Sequence, residues 1–167
     1  MRDLVELAPI PEGASERPKP PKLGPRKRAN YVSDFRHWAN LCGAEVSPDA
    51  MQYRRADTRL ALGAALVAKD AGCFREYHYP IYRARWAEPT DISRPEIVKQ
   101  CLSAAGLDGE AALARAQSDE IVKRLEQDTA DALAKGVFGL PTIFVGDDLF
   151  WGNDRFELVR HYLQKEA

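Results

Sequence analysis

The chain has 167 residues, 45% of them hydrophobic, and a formal net charge of -1 at pH 7. This length and composition suit an ordinary folded domain and argue against a disordered chain. The balanced charge gives nucleic acid no large attractive field. The sequence has no apolar run near the roughly 20 residues that a membrane helix needs, and it opens without a secretory signal. We therefore expect a cytoplasmic protein with no nucleic-acid or membrane partner.

The first 28 residues form a basic, proline-rich segment in which only residues 4–10 favour a strand. We interpret the segment as a solvated loop. An alternative is a positive wall beside an anionic ligand, to which Lys27 would contribute. A nucleic-acid tail is less favoured, because no aromatic residues alternate with the charges for base stacking.

Six segments then show the apolar periodicity or the capping residues of helices. They are residues 31–41, 57–71, 73–86, 94–105, 108–116 and 118–135. Residues 57–71 are rich in alanine and leucine, which predicts a largely buried helix. Ser93 and Glu96 have the spacing of a capping box, and Ser118 is a good N-cap for the long helix. Gly43, Gly72, Gly106 and Gly136 follow four of these segments as stops.

The apolar stripe of the first helix consists of Tyr31, Phe35, Trp38 and Leu41. The third helix, interrupted by Pro80, is rich in aromatic rings. Tyr79, Tyr82 and Trp86 could floor a pocket for an aromatic substrate, and His78 could line it. We favour core packing for all four side chains.

Three cysteines, Cys42, Cys73 and Cys101, are spaced widely along the chain. No C-x-x-C pair is present, so the sequence does not predict dithiol redox chemistry. No close Cys/His cluster predicts a metal site. We expect three reduced thiols packed in helices.

After Gly136 the pattern changes to strand, tight turn, strand and helix. Residues 142–145 are apolar and suit a buried strand, 146–148 a hairpin turn, and 149–151 the return strand. Asn153 is placed to cap the last helix. Because an isolated hairpin is unstable, we expect it to join a sheet that includes residues 4–10.

Two short strings in this region could bind a small peptide. Pro141 directly precedes an apolar strand, so we expect either a cis peptide bond or a trans proline at the sheet edge. In the cis form the backbone of Leu140 would be free to pair with a bound peptide. Asn153, Asp154 and Arg155 open a helix, where they could hold an ammonium and a carboxylate, or could simply cap the helix.

The string KGVFGLPTIFVGDDLFWGNDR closely resembles the end of the 2-hydroxychromene-2-carboxylate isomerase and kappa-class glutathione transferase family. Three further stretches resemble it in order: Lys27-Arg28-Ala29 with Asp34 and Trp38, the helix at 60–71, and residues 82–86 followed by Asp91-Ile92-Ser93. The resemblance implies an α/β, DsbA-like thioredoxin fold with an inserted helical domain, here N-terminally truncated. It implies an N-terminal strand and loop at 1–28, the inserted domain at 29–135 and the rest of the thioredoxin-like domain at 136–167.

The same resemblance implies glutathione as the cofactor. Leu140 would pair its backbone with the cysteinyl part, and Pro141 would be a cis-proline. Asp154 would hold the γ-glutamyl amine, with Asn153 and Arg155 beside it, and Lys27 would approach the glycyl carboxylate. The family's Ser-Pro-x-Ser-Tyr type segment, whose serine activates the glutathione thiol, has no counterpart in this sequence. The catalytic residues are therefore left unassigned.

The function that follows from the resemblance is glutathione-dependent isomerisation of an aromatic or chromene carboxylate by reversible thiolate addition, in a homodimer. A kappa-type transferase would use the same thiolate and consume it. A non-catalytic glutathione-binding protein is the third hypothesis, and the missing serine favours it. All three hypotheses require that the chain bind glutathione.

Overall fold

The computed structural model describes residues 24–53 and 55–166. In chain order the elements are α1 (Pro25–Leu41), a 3-10 turn (Ala50–Tyr53), α2 (Arg59–Asp70), α3 (Phe74–Trp86), α4 (Pro95–Ala104), α5 (Gly109–Ala116), α6 (Asp119–Ala134), β1 (Thr142–Val145), β2 (Asp148–Trp151), a second 3-10 turn (Asn153–Arg155) and α7 (Phe156–Glu166). The predicted strand at 4–10 lies outside the described residues. Among the described helices, none is both long and apolar enough to cross a membrane.

The chain divides into two compact units, one ending at Leu125 and the other beginning at Glu126, within α6. Residues 24–125 are called the helical unit below, and residues 126–166 the hairpin unit. The domain boundaries expected at 28/29 and 135/136 stay predictions.

The helical unit is built around α2, as its alanine-rich sequence predicts. Ala61, Ala64, Val67 and Ala68 are all buried in this helix. They pack in one core with Val98 and Leu102 of α4, Leu113 of α5 and Ile121 of α6. Tyr77 of α3 is only 1% exposed, and its hydroxyl donates to the Ala61 carbonyl oxygen at 2.9 Å. This bond satisfies a polar group that would otherwise be costly to bury.

A glycine in α2 permits close helix packing. A Cβ atom on Gly63 would lie 2.9 Å from the backbone oxygen of Ala116 and 3.2 Å from Cγ2 of Ile121. Only the missing side chain leaves room for the end of α5 and the start of α6 at this point. The close packing of α2 against α5 and α6 therefore requires a residue without a side chain at position 63.

The first helix differs from its prediction at both ends of its apolar stripe. It begins at Pro25, a proline in the first turn, rather than at residue 31, so Lys27 lies in a helix and not in a loop. Tyr31 and Leu41 are exposed, while the Phe35 ring packs on Trp86 with centroids 5.3 Å apart. Periodicity alone did not show which positions of the stripe find a partner.

The capping-box prediction for α4 is wrong. The carboxylate of Asp91 accepts hydrogen bonds from the Ser93 backbone N–H at 3.0 Å and from its hydroxyl at 2.7 Å. The N-cap is Arg94, without a side-chain cap, and its guanidinium donates to Glu96. Ser93 is thus engaged in an Asx turn with Asp91 and does not cap α4. The Ser118 prediction is confirmed, because its hydroxyl accepts from the Ile121 N–H at 3.4 Å.

The expected core packing of the aromatic residues of α3 is wrong for most of them. His78, Tyr79 and Tyr82 are exposed, and only Trp86 is half-buried. Tyr77 and Ile81 fill the core instead. All three cysteines are free, as expected, but only Cys101 is buried within a helix, whereas Cys42 is exposed at the end of α1.

In the hairpin unit, β1 and β2 pair antiparallel, with Thr142 opposite Trp151 and Val145 opposite Asp148. The turn has two residues, and Gly146 adopts a φ of 56° there. Val145, Phe150 and Val159 of α7 form a small buried cluster. The predicted helix cap at Asn153 is wrong, because Asn153 begins a three-residue 3-10 turn and α7 starts only at Phe156.

Replacing Gly63 with alanine is expected to destabilise the protein, although alanine is the better helix former by about 1 kcal/mol. The added methyl group would overlap the Ala116 carbonyl, so we expect a loss of about 1–3 kcal/mol in the free energy of unfolding. Urea denaturation measures this change. Lys69→Ala, on the exposed face of the same helix, is the matched control and should stay within about 0.5 kcal/mol of wild type. A stabilised Gly63→Ala variant would contradict the packing.

A second prediction concerns Asp70, at the end of α2, which accepts hydrogen bonds from Arg115 at 2.8 Å and from Arg124 at 2.9 Å. Hydrogen bonding and charge from Arg124, with the help of Arg115, hold the pKa of the Asp70 carboxyl below its usual value. A carboxyl with a lowered pKa stabilises the fold above its unfolded pKa of about 3.9 and loses that contribution as pH falls through the folded pKa.

We therefore expect Asp70→Asn to lower the urea midpoint at pH 7 and to differ little from wild type at pH 3. Asp128→Asn, an exposed carboxylate of α6, is the matched control. A gap between Asp70→Asn and wild type that is equally large at both pH values would show that the charge of Asp70 contributes nothing.

Candidate functional site

The sequence leaves two alternatives for Pro141, just before β1: a cis peptide bond or a trans proline at the sheet edge. The Leu140–Pro141 peptide bond is cis, so the trans alternative at the sheet edge is wrong. Leu140 is 42% exposed. In the described part of the chain, no backbone group is hydrogen-bonded to its N–H or C=O. A peptide backbone could therefore satisfy both groups in the manner of an added strand.

Three contacts fix this segment. The Thr142 hydroxyl donates to the Gly139 carbonyl oxygen at 2.6 Å. The Gly152 N–H donates to the Pro141 carbonyl oxygen at 3.0 Å. The indole of Trp151 lies against Gly139, where a Cβ atom would be 2.3 Å from its Nε1. The Leu140 peptide is thus held on both sides.

These supporting residues were not among the predicted site residues. Gly139, Thr142, Trp151 and Gly152 contact the segment rather than offering an obvious ligand group. The two glycines were the only sequence signal for them, because a glycine often marks a close approach of other atoms to the backbone. Their partner, the Trp151 indole, follows only from the strand pairing.

The second predicted string adjoins the first. Because the Gly152 N–H is hydrogen-bonded to the Pro141 carbonyl oxygen, the turn Asn153–Arg155 begins directly beside the cis peptide. Asp154 and Arg155 are half-exposed and form an ion pair at 2.7 Å. Gly152 has a φ of 116°, and a Cβ atom there would lie 2.5 Å from Oδ1 of Asp154. Glycine is therefore needed both for the backbone conformation and for the carboxylate position.

The hairpin unit thus gathers Leu140, Pro141, Asn153, Asp154 and Arg155 at one end of its two strands. Lys27 belongs to the helical unit, where it is exposed in the first turn of α1. Its approach to a ligand carboxylate stays a prediction. The 3-10 turn at Asn153 runs directly into α7, and the predicted binding of an anion at this opening stays a prediction.

The chemistry available at this end of the hairpin is that of binding. It offers one backbone donor, one backbone acceptor, a carboxylate and a guanidinium.

The helical unit supplies no activated thiol in α4. Cys101 is unsuited to act as a nucleophile, because burial and then the charge of Glu88 raise the pKa of its thiol to about 11. Within the described residues no three His, Cys, Asp or Glu side chains are grouped as metal ligands.

A concave region of about 380 Å³ lies between α3 and α4 in the helical unit. Arg83 contributes the cation among its lining residues, and this guanidinium is paired with Glu45 at 2.6 Å and Glu88 at 3.2 Å. Hydrogen bonds to Glu45, Tyr79 and Glu88, Glu45 first, raise the pKa of Arg83. The region contains none of the predicted glutathione residues.

Comparison with known proteins supports this reading of the fold. A curated 2-hydroxychromene-2-carboxylate isomerase from Pseudomonas sp. (strain C18) is 31% identical over 149 residues, which are 83% of this chain and 66% of that protein. One of the same name from Pseudomonas putida is 32% identical over 130 residues, 75% of this chain and 60% of that protein. The chain therefore spans less than two thirds of the length of these relatives.

A solved structure of a 2-hydroxychromene-2-carboxylate isomerase matches with a TM-score of 0.58 and 23% identity, over 86% of this chain and 71% of that one. At this identity the match shows the fold. The family model described as a DSBA-like thioredoxin domain matches residues 5–164. The resemblance found in the sequence is confirmed, and this chain belongs to the DSBA-like thioredoxin domain family.

Proposed function

We propose that this chain is a glutathione-dependent isomerase that acts on an aromatic or chromene carboxylate. The observation that carries the proposal is that the N–H and C=O of Leu140 pair with no backbone group of the described residues, at the end of the hairpin that also carries the Asp154–Arg155 ion pair. Both relatives described above are named as isomerases of a chromene carboxylate, which supports the reaction class. A cytoplasmic location and a homodimer are part of the proposal.

The residues fit glutathione by the chemistry of their groups. The tripeptide carries an ammonium and a carboxylate at its γ-glutamyl end, which match the carboxylate of Asp154 and the guanidinium of Arg155. Its cysteinyl residue carries one backbone N–H and one C=O, which match the C=O and N–H of Leu140 that no backbone group of residues 24–166 occupies, residue 54 aside. Asn153 adds an amide at the same turn.

When bound, glutathione would supply a thiolate that adds reversibly to the unsaturated substrate. This chain's own part is to bind and orient. Thr142, Trp151 and Gly152 fix the Leu140 peptide, so that little conformational freedom is lost when a ligand pairs with it. Asp154 would orient the tripeptide through its amine, at a distance from the reacting sulfur.

Turnover distinguishes the alternatives. An isomerase needs only a catalytic amount of glutathione, whereas a kappa-type transferase consumes one glutathione for each product. Thiol titration during turnover of a chromene carboxylate separates these two outcomes. Glutathione binding without turnover by the native protein would favour the non-catalytic alternative.

Asp154→Asn is expected to weaken glutathione binding by about tenfold, because it removes the charge that pairs with the γ-glutamyl amine. An analogue that lacks this amine, glutaryl-cysteinylglycine, should bind the variant and wild type equally. Isothermal titration of both ligands makes the comparison. Asp147→Asn, in the hairpin turn, is the matched control. Equal losses for the two ligands would show that Asp154 does not hold the amine.

Gly139→Ala is expected to weaken glutathione binding by at least about tenfold, because the new methyl group would overlap the Trp151 indole and shift the Leu140 peptide. Trp151→Leu in the same chain makes room for the methyl group and should restore part of the affinity. Titration of both variants measures this effect, and urea denaturation controls for stability. Unchanged affinity in Gly139→Ala would mean that the position of this segment is irrelevant to the ligand.

A further inference from the structure

Helix α3 has an exposed aromatic face that its packing role does not explain. Tyr77 and Ile81 fill the core on one side of the helix. On another side Phe74, Tyr79 and Tyr82 are 44%, 67% and 55% exposed. A cluster of large exposed rings on one helix usually marks an interaction site.

Phe74, His78 and Tyr82 form a row of neighbouring rings, of which His78 and Tyr82 are stacked and Phe74 is tilted against His78. The Phe74 and His78 ring centroids are 5.4 Å apart, and those of His78 and Tyr82 are 4.2 Å apart with an interplanar angle of 29°. The spacing of four residues aligns them along the helix. Because each ring restrains its neighbour, the row is a preformed surface that loses little side-chain freedom when a ligand binds.

One cation, Arg75, lies beside this row. Arg75 is one helical turn from both His78 and Tyr79, on the same exposed side. None of the ion pairs in the described part of the chain uses Arg75. Glu76 lies about 100° from Arg75 around the helix, on the side of Tyr79 that is remote from Phe74 and His78. A ligand on the Phe74–His78–Tyr82 row would therefore have this guanidinium within one helical turn.

We infer that the α3 face made of Phe74, Arg75, His78, Tyr79 and Tyr82 binds the ring and the carboxylate of an aromatic carboxylate. Stacking or edge contacts suit a planar ring, and the guanidinium suits a carboxylate with two parallel hydrogen bonds. The inference rests on the proposed function, since it assigns a subsite to the substrate class proposed there. Neither an uncharged aromatic compound nor an aliphatic acid would satisfy both halves of the surface.

The test is a titration of the full chain with 1-naphthoate, followed by NMR or calorimetry. Two probes each lack one half of the chemistry: 1-naphthalenemethanol has the ring without the charge, and cyclohexanecarboxylate has the charge without the aromatic ring. We expect naphthoate to bind at least about tenfold more tightly than either. Equal binding of all three probes would overturn the inference.

Variants of the α3 face show whether naphthoate binds there. Arg75→Gln should reduce naphthoate affinity about tenfold and leave naphthalenemethanol unaffected, whereas Tyr82→Leu should weaken both. Tyr31→Leu and Lys123→Gln, which change an exposed ring and an exposed cation elsewhere, are the matched controls. If Tyr82→Leu changes the oligomeric state in sedimentation but not naphthoate affinity, the face is a contact between copies of the chain and the inference is wrong.

Glutathione titrations of the same variants separate the two proposals. Arg75→Gln and Tyr82→Leu should bind glutathione as wild type does. If wild type binds naphthoate in the expected pattern but not glutathione, the proposed function fails and the α3 subsite stands. If glutathione binds and neither Arg75→Gln nor Tyr82→Leu changes naphthoate affinity, the α3 subsite is wrong and the proposed function stands.

Discussion

The hydrogen bond from the Gly152 N–H to the Pro141 carbonyl oxygen, 3.0 Å long, joins the two parts of the candidate site. It lies where the register of the hairpin ends, next to the pairing of Thr142 with Trp151. Through it the bend at Leu140 and the turn that carries Asp154 become neighbours, although they are more than ten residues apart in sequence. A backbone bond serves this purpose well, because it does not depend on a side-chain rotamer.

Small residues have a comparable effect in both units, since they set how closely other atoms approach the backbone. Gly63 admits the end of α5 against α2, and Gly139 admits the indole of Trp151. In each place a methyl group would meet an atom closer than van der Waals contact allows. These positions contribute geometry rather than buried apolar area, so hydropathy patterns do not reveal them.

The sequence predicted the helices and the hairpin well where periodicity and stops agreed, as in α2 and in the strands around Gly146. It failed where a local polar group had two possible partners, as at Ser93, which bonds to Asp91 instead of capping α4. It also misjudged α3, because a count of apolar residues cannot say which side of a helix finds a partner. Tyr77 is buried in the core, whereas Tyr79 and Tyr82 are exposed. The candidate site residues came from a motif, but the contacts that hold them came only from three-dimensional pairing.

The partly exposed indole of Trp151 gives the proposed ligand site a fluorophore of its own. It packs against Gly139 and meets the ring of Phe138 edge-on, with centroids 5.0 Å apart. Any molecule that pairs with the Leu140 peptide changes the solvent around this indole. The other two tryptophans, Trp38 and Trp86, belong to the helical unit. A chain that keeps Trp151 and has phenylalanine at those two positions would therefore signal occupancy by its emission, without any added dye.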